Sequence, residues 1–172
     1  AWRFPGLASK DFEVLQVVSQ VLYNGKAGLI DLDLNQQQKV LNSYGYPMGL
    51  ADYSAFILGG LPKQGQMLEE VKDLLLNEIK KLRAGEFDEK MLQANINNFK
   101  LYELQSMESN EGRADIFVNS FINGTNWEDE VTAIDRMAKL TKEDIVAFAD
   151  KYLKEDNYAA VSYTHLTLPT KL

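Results

Sequence analysis

Residues 44–62, YGYPMGLADYSAFILGGLP, decide the fold class. Ala51, Tyr53, Ala55 and Ile57 alternate with Asp52, Ser54, Phe56 and Leu58, the period of two that belongs to a β-strand. Tyr44 and Tyr46 precede Pro47 and Gly49, so the spacing predicts a β-hairpin with its loop near positions 47–49. Gly59-Gly60 and Pro62 are expected to break the second strand. Its two faces are chemically mixed, which predicts a sheet covered by helices on one side and partly open on the other.

Outward from the hairpin the pattern changes to the helical period. Upstream, Ala1 to Phe4 has the character of a strand that runs into Pro5-Gly6. A helix follows: Ser9 can cap it, Asp11 and Glu13 suit its positive end, and Phe12, Leu15, Val18 and Leu22 recur along one face. Val14, Val17 and Val21 widen that stripe, so burial on more than one side is expected before Asn24-Gly25 stops the helix. A second short helix is expected from Ala27 to about Gln37, with Leu29, Leu32 and Leu34 as its apolar positions.

Downstream, Met67, Leu68, Val71, Leu74, Leu75, Ile79 and Leu82 form a broad stripe closed by Lys80, Lys81, Arg83 and Gly85. Asp88 is expected to cap the next helix, with Phe87 and Leu92 as a hydrophobic staple and Ile96 and Phe99 continuing its buried face. Ser109-Asn110-Glu111-Gly112 marks a break, after which Ile116, Phe117, Phe121 and Ile122 are expected to resume the buried face. Asn126 can cap a helix with an acidic first turn, and Thr141 to Asp144 has the spacing of a capping box, with Ile145, Phe148 and Tyr152 facing inward. Tyr158 to Val161 is expected to be a final strand. Strands grouped together and helices grouped together give an α+β class: an antiparallel sheet with a layer of helices on one face.

Composition narrows the chemistry. The chain has 172 residues, 45% of them hydrophobic, enough for a core. With 25 acids against 18 Lys plus Arg the net charge is -7, so nucleic acid and an anionic membrane are not expected partners. No run approaches the about 18 consecutive apolar residues of a membrane helix. There is no cysteine, which removes disulfides, thiolate metal sites and a thiol nucleophile. The one histidine, His165, lies in the stretch Ser162 to Leu172, whose composition matches nothing before it and resembles a translated sequencing-adaptor scar. The expectation is therefore a domain over residues 1–161, a fragment that begins inside a larger protein, followed by a non-native tail over 162–172; a genuine final strand in that tail is the alternative. Even with His165 counted, one histidine cannot build a catalytic metal site.

The local motifs have bland readings. Asp31, Asp33 and Asn35 open like a calcium loop, but Gln36 stands where glycine belongs and Asn42 where the bidentate glutamate belongs. Gly60 and Gly65 have the separation of a phosphate-binding loop, yet Gln66 and Met67 replace its lysine and hydroxyl residue. Asn123-Gly124-Thr125 fits a glycosylation acceptor and equally a turn. The pairs Glu69-Glu70 and Asp129-Glu130 fall on expected helix surfaces, and no imidazole outside the tail can serve a Ser or Thr nucleophile.

A family resemblance adds to this reading. Ile79 to Phe87, followed by Asp88 to Ala94, is similar to the "l-x-x-l-x-x-G-x-x-x-x-x-x-l-x-x-A" stretch of the pitrilysin/insulinase family of zinc metallopeptidases. Asp11 to Leu22, then Gly28-Leu29-Ile30 and Leu34, resembles the family's first helix and its "g-x-L-x-x-x-L" continuation, and Leu140 to Ile145 resembles its "l-T-x-e-d-i" helix start. The similarity runs from about Arg3 to Val161. The resemblance implies α+β domains paired in halves around a peptide substrate, with zinc on an inverted H-x-x-E-H helix of the first domain and a distal glutamate. This sequence has no such motif. It implies a non-catalytic domain with no catalytic, cofactor-binding or metal residue of its own, inactive alone, with zinc in a partner domain of the parent chain. Long family members carry a substrate-contacting Arg and Tyr in their second half where this chain has Asn35 and Asn42, which points to the second domain of the first half or to a half that has lost the contact. An inactive family relative acting as a structural or assembly subunit is the alternative.

Overall fold

The computed structural model describes residues 1–163. A three-stranded antiparallel sheet, in the order β1-β3-β2, carries a helical layer on one face. Strand β1 (Trp2–Pro5) leads into α1 (Lys10–Leu22), whose N-terminus is capped by Ser9 through the Phe12 amide. All of Leu15, Val17, Val18, Val21 and Leu22 are buried, so α1 is covered on several sides as its wide stripe predicts. It is the central helix, touching the sheet and helices on either side of it.

The region after α1 folds differently from its expected helix. Leu29 and Ile30 are buried and lead into a single π-helical turn, Asp31–Asn35, in place of an α-helix to Gln37. Asp31 anchors this turn. Its Oδ2 accepts from the backbone amides of Asn24 and Gly28, both at 3.0 Å, tying the turn back to the end of α1. A π-turn closes i→i+5 hydrogen bonds, here from the Gln36 amide to the Asp31 carbonyl at 2.8 Å, and occurs mostly as a single turn.

Strand β2 (Asn42–Met48) pairs with β3 (Tyr53–Leu61) in the register Tyr44↔Gly59 and Tyr46↔Ile57. Two expectations are corrected here. The hairpin loop spans residues 49–52, because Pro47 lies within β2, a strand at the sheet edge that can leave it without a ladder donor. Gly59-Gly60 does not end β3, which continues to Leu61. These glycines are needed for clearance: a Cβ on Gly59 would meet the Tyr44 ring at 2.2 Å, and one on Gly60 would meet Val71 Cγ1 at 2.4 Å. The covered face of β3 holds Ser54, Phe56 and, partly, Leu58, while Tyr53 is exposed.

Helix α2 (Leu68–Arg83) crosses the covered face of β3, with Val71, Leu75, Ile79 and Leu82 inward. It ends at Gly85, which takes the left-handed conformation (φ 70°) that glycine adopts without strain. Helix α3 (Lys90–Ser106) starts after Asp88, whose Oδ1 accepts from the Lys90 amide at 2.9 Å; Phe87 and Leu92 are both buried there. Ser109 caps α4 (Asn110–Asn123), and Gly124 closes it at φ 65°. Asn126 caps α5 (Trp127–Met137), and Thr141 and Asp144 form a reciprocal capping box on α6 (Lys142–Tyr152). Phe4 of β1 packs between Phe148 and Tyr152 of α6, with ring centroids 5.7 and 4.8 Å away.

Two further expectations are overturned. Phe117, Phe121 and Ile122 of α4 are exposed, with Ser120 the one buried residue of that helix. Their spacing makes an amphipathic helix, but among the described residues little beyond Trp127, which stacks on Phe117, lies against them. Tyr158 to Val161 does not form a strand: Tyr158 makes one antiparallel bridge with Trp2, and the Ala159 amide donates to the Ala1 carbonyl at 3.0 Å.

Candidate functional site

The uncovered face of the sheet carries a group of exposed aromatic and apolar side chains. The register puts Tyr44, Tyr46 and Met48 of β2 beside Ile57 and Leu61 of β3 on this face. Tyr44 and Tyr46 stack with centroids 6.2 Å apart, and Tyr44 lies over the bare backbone of Gly59. At the other side of the face the Arg3 guanidinium sits 3.5 Å from the centre of the Tyr53 ring, a cation-π contact. Here the alternation of residues 51–58 is informative in hindsight. Tyr53, Ala55 and Ile57 form the open side, and Phe56 the core side.

At the end of the sheet a groove of about 370 Å³ opens between β3, α2 and the segment after α6, with Trp2, Leu58, Leu68, Val71, Leu75 and Tyr158 among its walls. Tyr163 of the terminal stretch also lines it, whereas His165 lies outside the described residues.

The sequence candidates are put to structural use. Asp31, Asp33 and Asn35 do not converge. Asp31 holds backbone amides, Asp33 accepts from Lys81 Nζ at 2.5 Å, and Asn35 pairs with Ser43 of β2. That last contact is a side-chain amide acting as a strand residue: Nδ2 donates to the Ser43 carbonyl at 2.8 Å and Oδ1 accepts the Ser43 amide at 2.8 Å, closing part of the open edge of β2. Asn42 is exposed at the start of the strand. Gly65 (φ 81°) turns the chain between β3 and α2. Glu69, Glu70 and Glu130 are exposed; Asp129, also exposed, makes long ion pairs with Lys10 (3.7 Å) and Arg136 (3.6 Å). In the 123–125 stretch Thr125 folds back on Ser120, its Oγ1 donating to the Ser120 carbonyl at 3.3 Å.

One cluster went unread in the sequence. Glu78 of α2 is 1% exposed; its Oε1 accepts from Lys81 Nζ at 2.9 Å, and Lys81 also holds Asp33. Burial raises the Glu78 carboxyl above the ordinary glutamate range, while the hydrogen bond from Lys81 lowers Asp33. The spacing of Val71, Leu75, Glu78 and Leu82 as one stripe signals the burial of Glu78 but not its partners. Among the described residues no group of three or more His, Asp or Glu is placed to hold a metal ion, so this acid pair bound by one lysine is an internal tie. No helix among the described residues is long and apolar enough to cross a membrane.

The antiparallel sheet with its helical layer defines an α+β domain. Residues 1–99 match the family model described as the peptidase M16 inactive domain, and the chain belongs to that family. No curated protein sequence matches the chain. Solved structures share the fold. A protease from Helicobacter pylori is 22% identical with a TM-score of 0.80, the match covering 91% of this chain and 38% of that one. The inactive peptidase domain of a Bordetella parapertussis protein assigned as a zinc protease is 18% identical with a TM-score of 0.83, covering 98% and 91%. A chain of Complex III2 from Candida albicans is 10% identical with a TM-score of 0.70, covering 88% and 38%. The chain thus spans well under half of the H. pylori protease and nearly all of the B. parapertussis domain.

Proposed function

We propose that this chain is the non-catalytic domain of a zinc-dependent metalloendopeptidase or oligopeptidase, in which it forms part of the wall of a peptide-enclosing chamber and packs on the zinc-bearing domain of the same polypeptide. The observation that carries the reading is the match of residues 1–99 to the inactive peptidase domain, joined to an open, tyrosine-lined sheet face. Zinc bound in the partner domain supplies an activated water for attack on a peptide carbonyl. In this reading the metal and the catalytic residues belong to that partner domain, and this chain contributes none of its own. The chain's own part is to bind and to exclude water. Tyr44, Tyr46 and Met48 offer an apolar wall for peptide side chains, and enclosure keeps bulk water from the reacting carbonyl. Nucleic acid and membrane lie outside this reading, and the domain proper is residues 1–161.

A second reading, an inactive relative serving as a structural or assembly subunit, is favoured by the likeness to a chain of Complex III2. The complete reading frame separates the two. Under the chamber reading the full-length protein hydrolyses a quenched fluorescent peptide, loses that activity to a chelator and regains it with zinc, and the 172-residue chain alone is inert. A full-length protein that holds no zinc and cleaves no peptide supports the assembly reading and ends the first.

A further inference from the structure

The arm made of the second half of α3, α4 and α5 combines exposed apolar side chains with a net negative charge. Leu101, Leu104, Phe117 and Trp127 are exposed, as are Phe121 at 88% and Ile122 at 70%, while Phe117 stacks on Trp127 at 4.2 Å and so holds part of the surface flat. Large apolar side chains left exposed along one helix, as Phe117, Phe121 and Ile122 are, mark a contact site. Between positions 97 and 137 eight acids stand against three cations, Lys100, Arg113 and Arg136, a net -5 in a chain of -7, with Asp129 paired to Lys10 and Arg136. Arg113 is spent locally, donating to the Met107 carbonyl at 2.6 Å and to Asn110 Oδ1 at 2.5 Å. Acid and apolar positions interleave, since Asp115, Val118 and Ile122 share one face of α4 at helical spacing.

We propose that this arm docks a partner protein through a face with an aliphatic centre and a rim of Lys and Arg. The aliphatic centre covers Phe121 and Ile122, and the basic rim meets Glu111, Asp115 and their acidic neighbours. The charge selects among occupants. A second copy would bring another net negative surface within a Debye length, about 8 Å at physiological salt, and the two would repel. An anionic bilayer is repelled for the same reason. A neutral apolar partner would strip water from the acids without replacing it. The inference stands apart from the chamber reading, because it needs only the charge and exposure of this arm.

The test uses the 172-residue chain and a synthetic amphipathic Leu/Lys helical peptide, titrated by calorimetry at low and physiological salt. The peptide is expected to bind, more weakly as salt rises, and to lose about tenfold or more in affinity to each of two double variants, Phe121→Ser with Ile122→Ser and Glu111→Gln with Asp115→Asn. All four side chains are on the surface, so circular dichroism should match the parent chain. Equal binding of a scrambled peptide of the same composition, or of a Leu/Glu helix, overturns the proposal, as does unchanged binding by either double variant. Self-association that disappears in Phe121→Ser would assign the arm to a second copy. Flotation with phosphatidylserine vesicles that disappears in the same variant would assign it to a membrane.

Discussion

Glu78 lies on the buried stripe of α2 with Oε1 on Lys81 and with Oε2 facing no donor among the described residues. Its raised carboxyl means that the folded chain keeps this proton to higher pH than the unfolded chain does. The associated stability is complete below the ordinary glutamate range and is lost as pH rises through the raised value. Asp33 runs the other way: Lys81 lowers it, so its contribution is present above the ordinary aspartate range and fades as pH falls through the lowered value. Glu78→Gln is therefore expected to raise Tm relative to the parent chain at about pH 8, with the gap shrinking towards about pH 4, measured by thermal melts across that range. Lys81→Met strands two acids and should cost about 2 kcal/mol in a urea titration, below the range for fully buried pairs because Lys81 and Asp33 side chains are each 27% exposed. Asn35→Ala removes both partners of the Ser43 backbone and should cost about 1–2 kcal/mol by the same measurement. None of these contacts was legible in the sequence. A stripe is found by counting apolar residues, which passes over an acid at the same spacing. Asp31, Asp33 and Asn35 alternate like ligands, yet a turn sends each side chain to a different neighbour.

Elements were legible where their causes are local. Ser9, Asn126 and Thr141 cap the helices that their spacing announces, because a cap needs only its own first turn. Thr141→Ala should cost about 1 kcal/mol, seen as a lowered urea midpoint with an unchanged slope. Sidedness was another matter. Residues 51–58 alternate plainly, but apolar groups stand on both sides of the strand, and it is α2 and the central helix α1 that turn Phe56 inward and leave Tyr53 outside. Phe56→Ala is expected to cost about 3–5 kcal/mol, while Phe121→Ala on exposed α4 should stay within about 0.5 kcal/mol, a contrast that equilibrium unfolding reads directly. Both phenylalanines look alike in one dimension. The hydrophobic spacing of α4 says that the helix has an apolar face and leaves open which polypeptide covers it.

At the scale of the molecule, the α+β layering was visible in the order of strand and helix patterns, and membership of the inactive M16 domain family fits a chain with one histidine and no cysteine. The last strand was not visible as it stands, because Tyr158 finds one bridge partner in Trp2 and the ladder goes no further. That bridge has a geometric consequence. With Trp2 and Tyr158 side by side and Ala159 bonded to Ala1, the backbone path comes back to where it set out. A circular permutant that joins Ala160 to Ala1 through a few glycines, and opens instead at the turn around Gly65, should therefore fold with an unaltered circular dichroism spectrum.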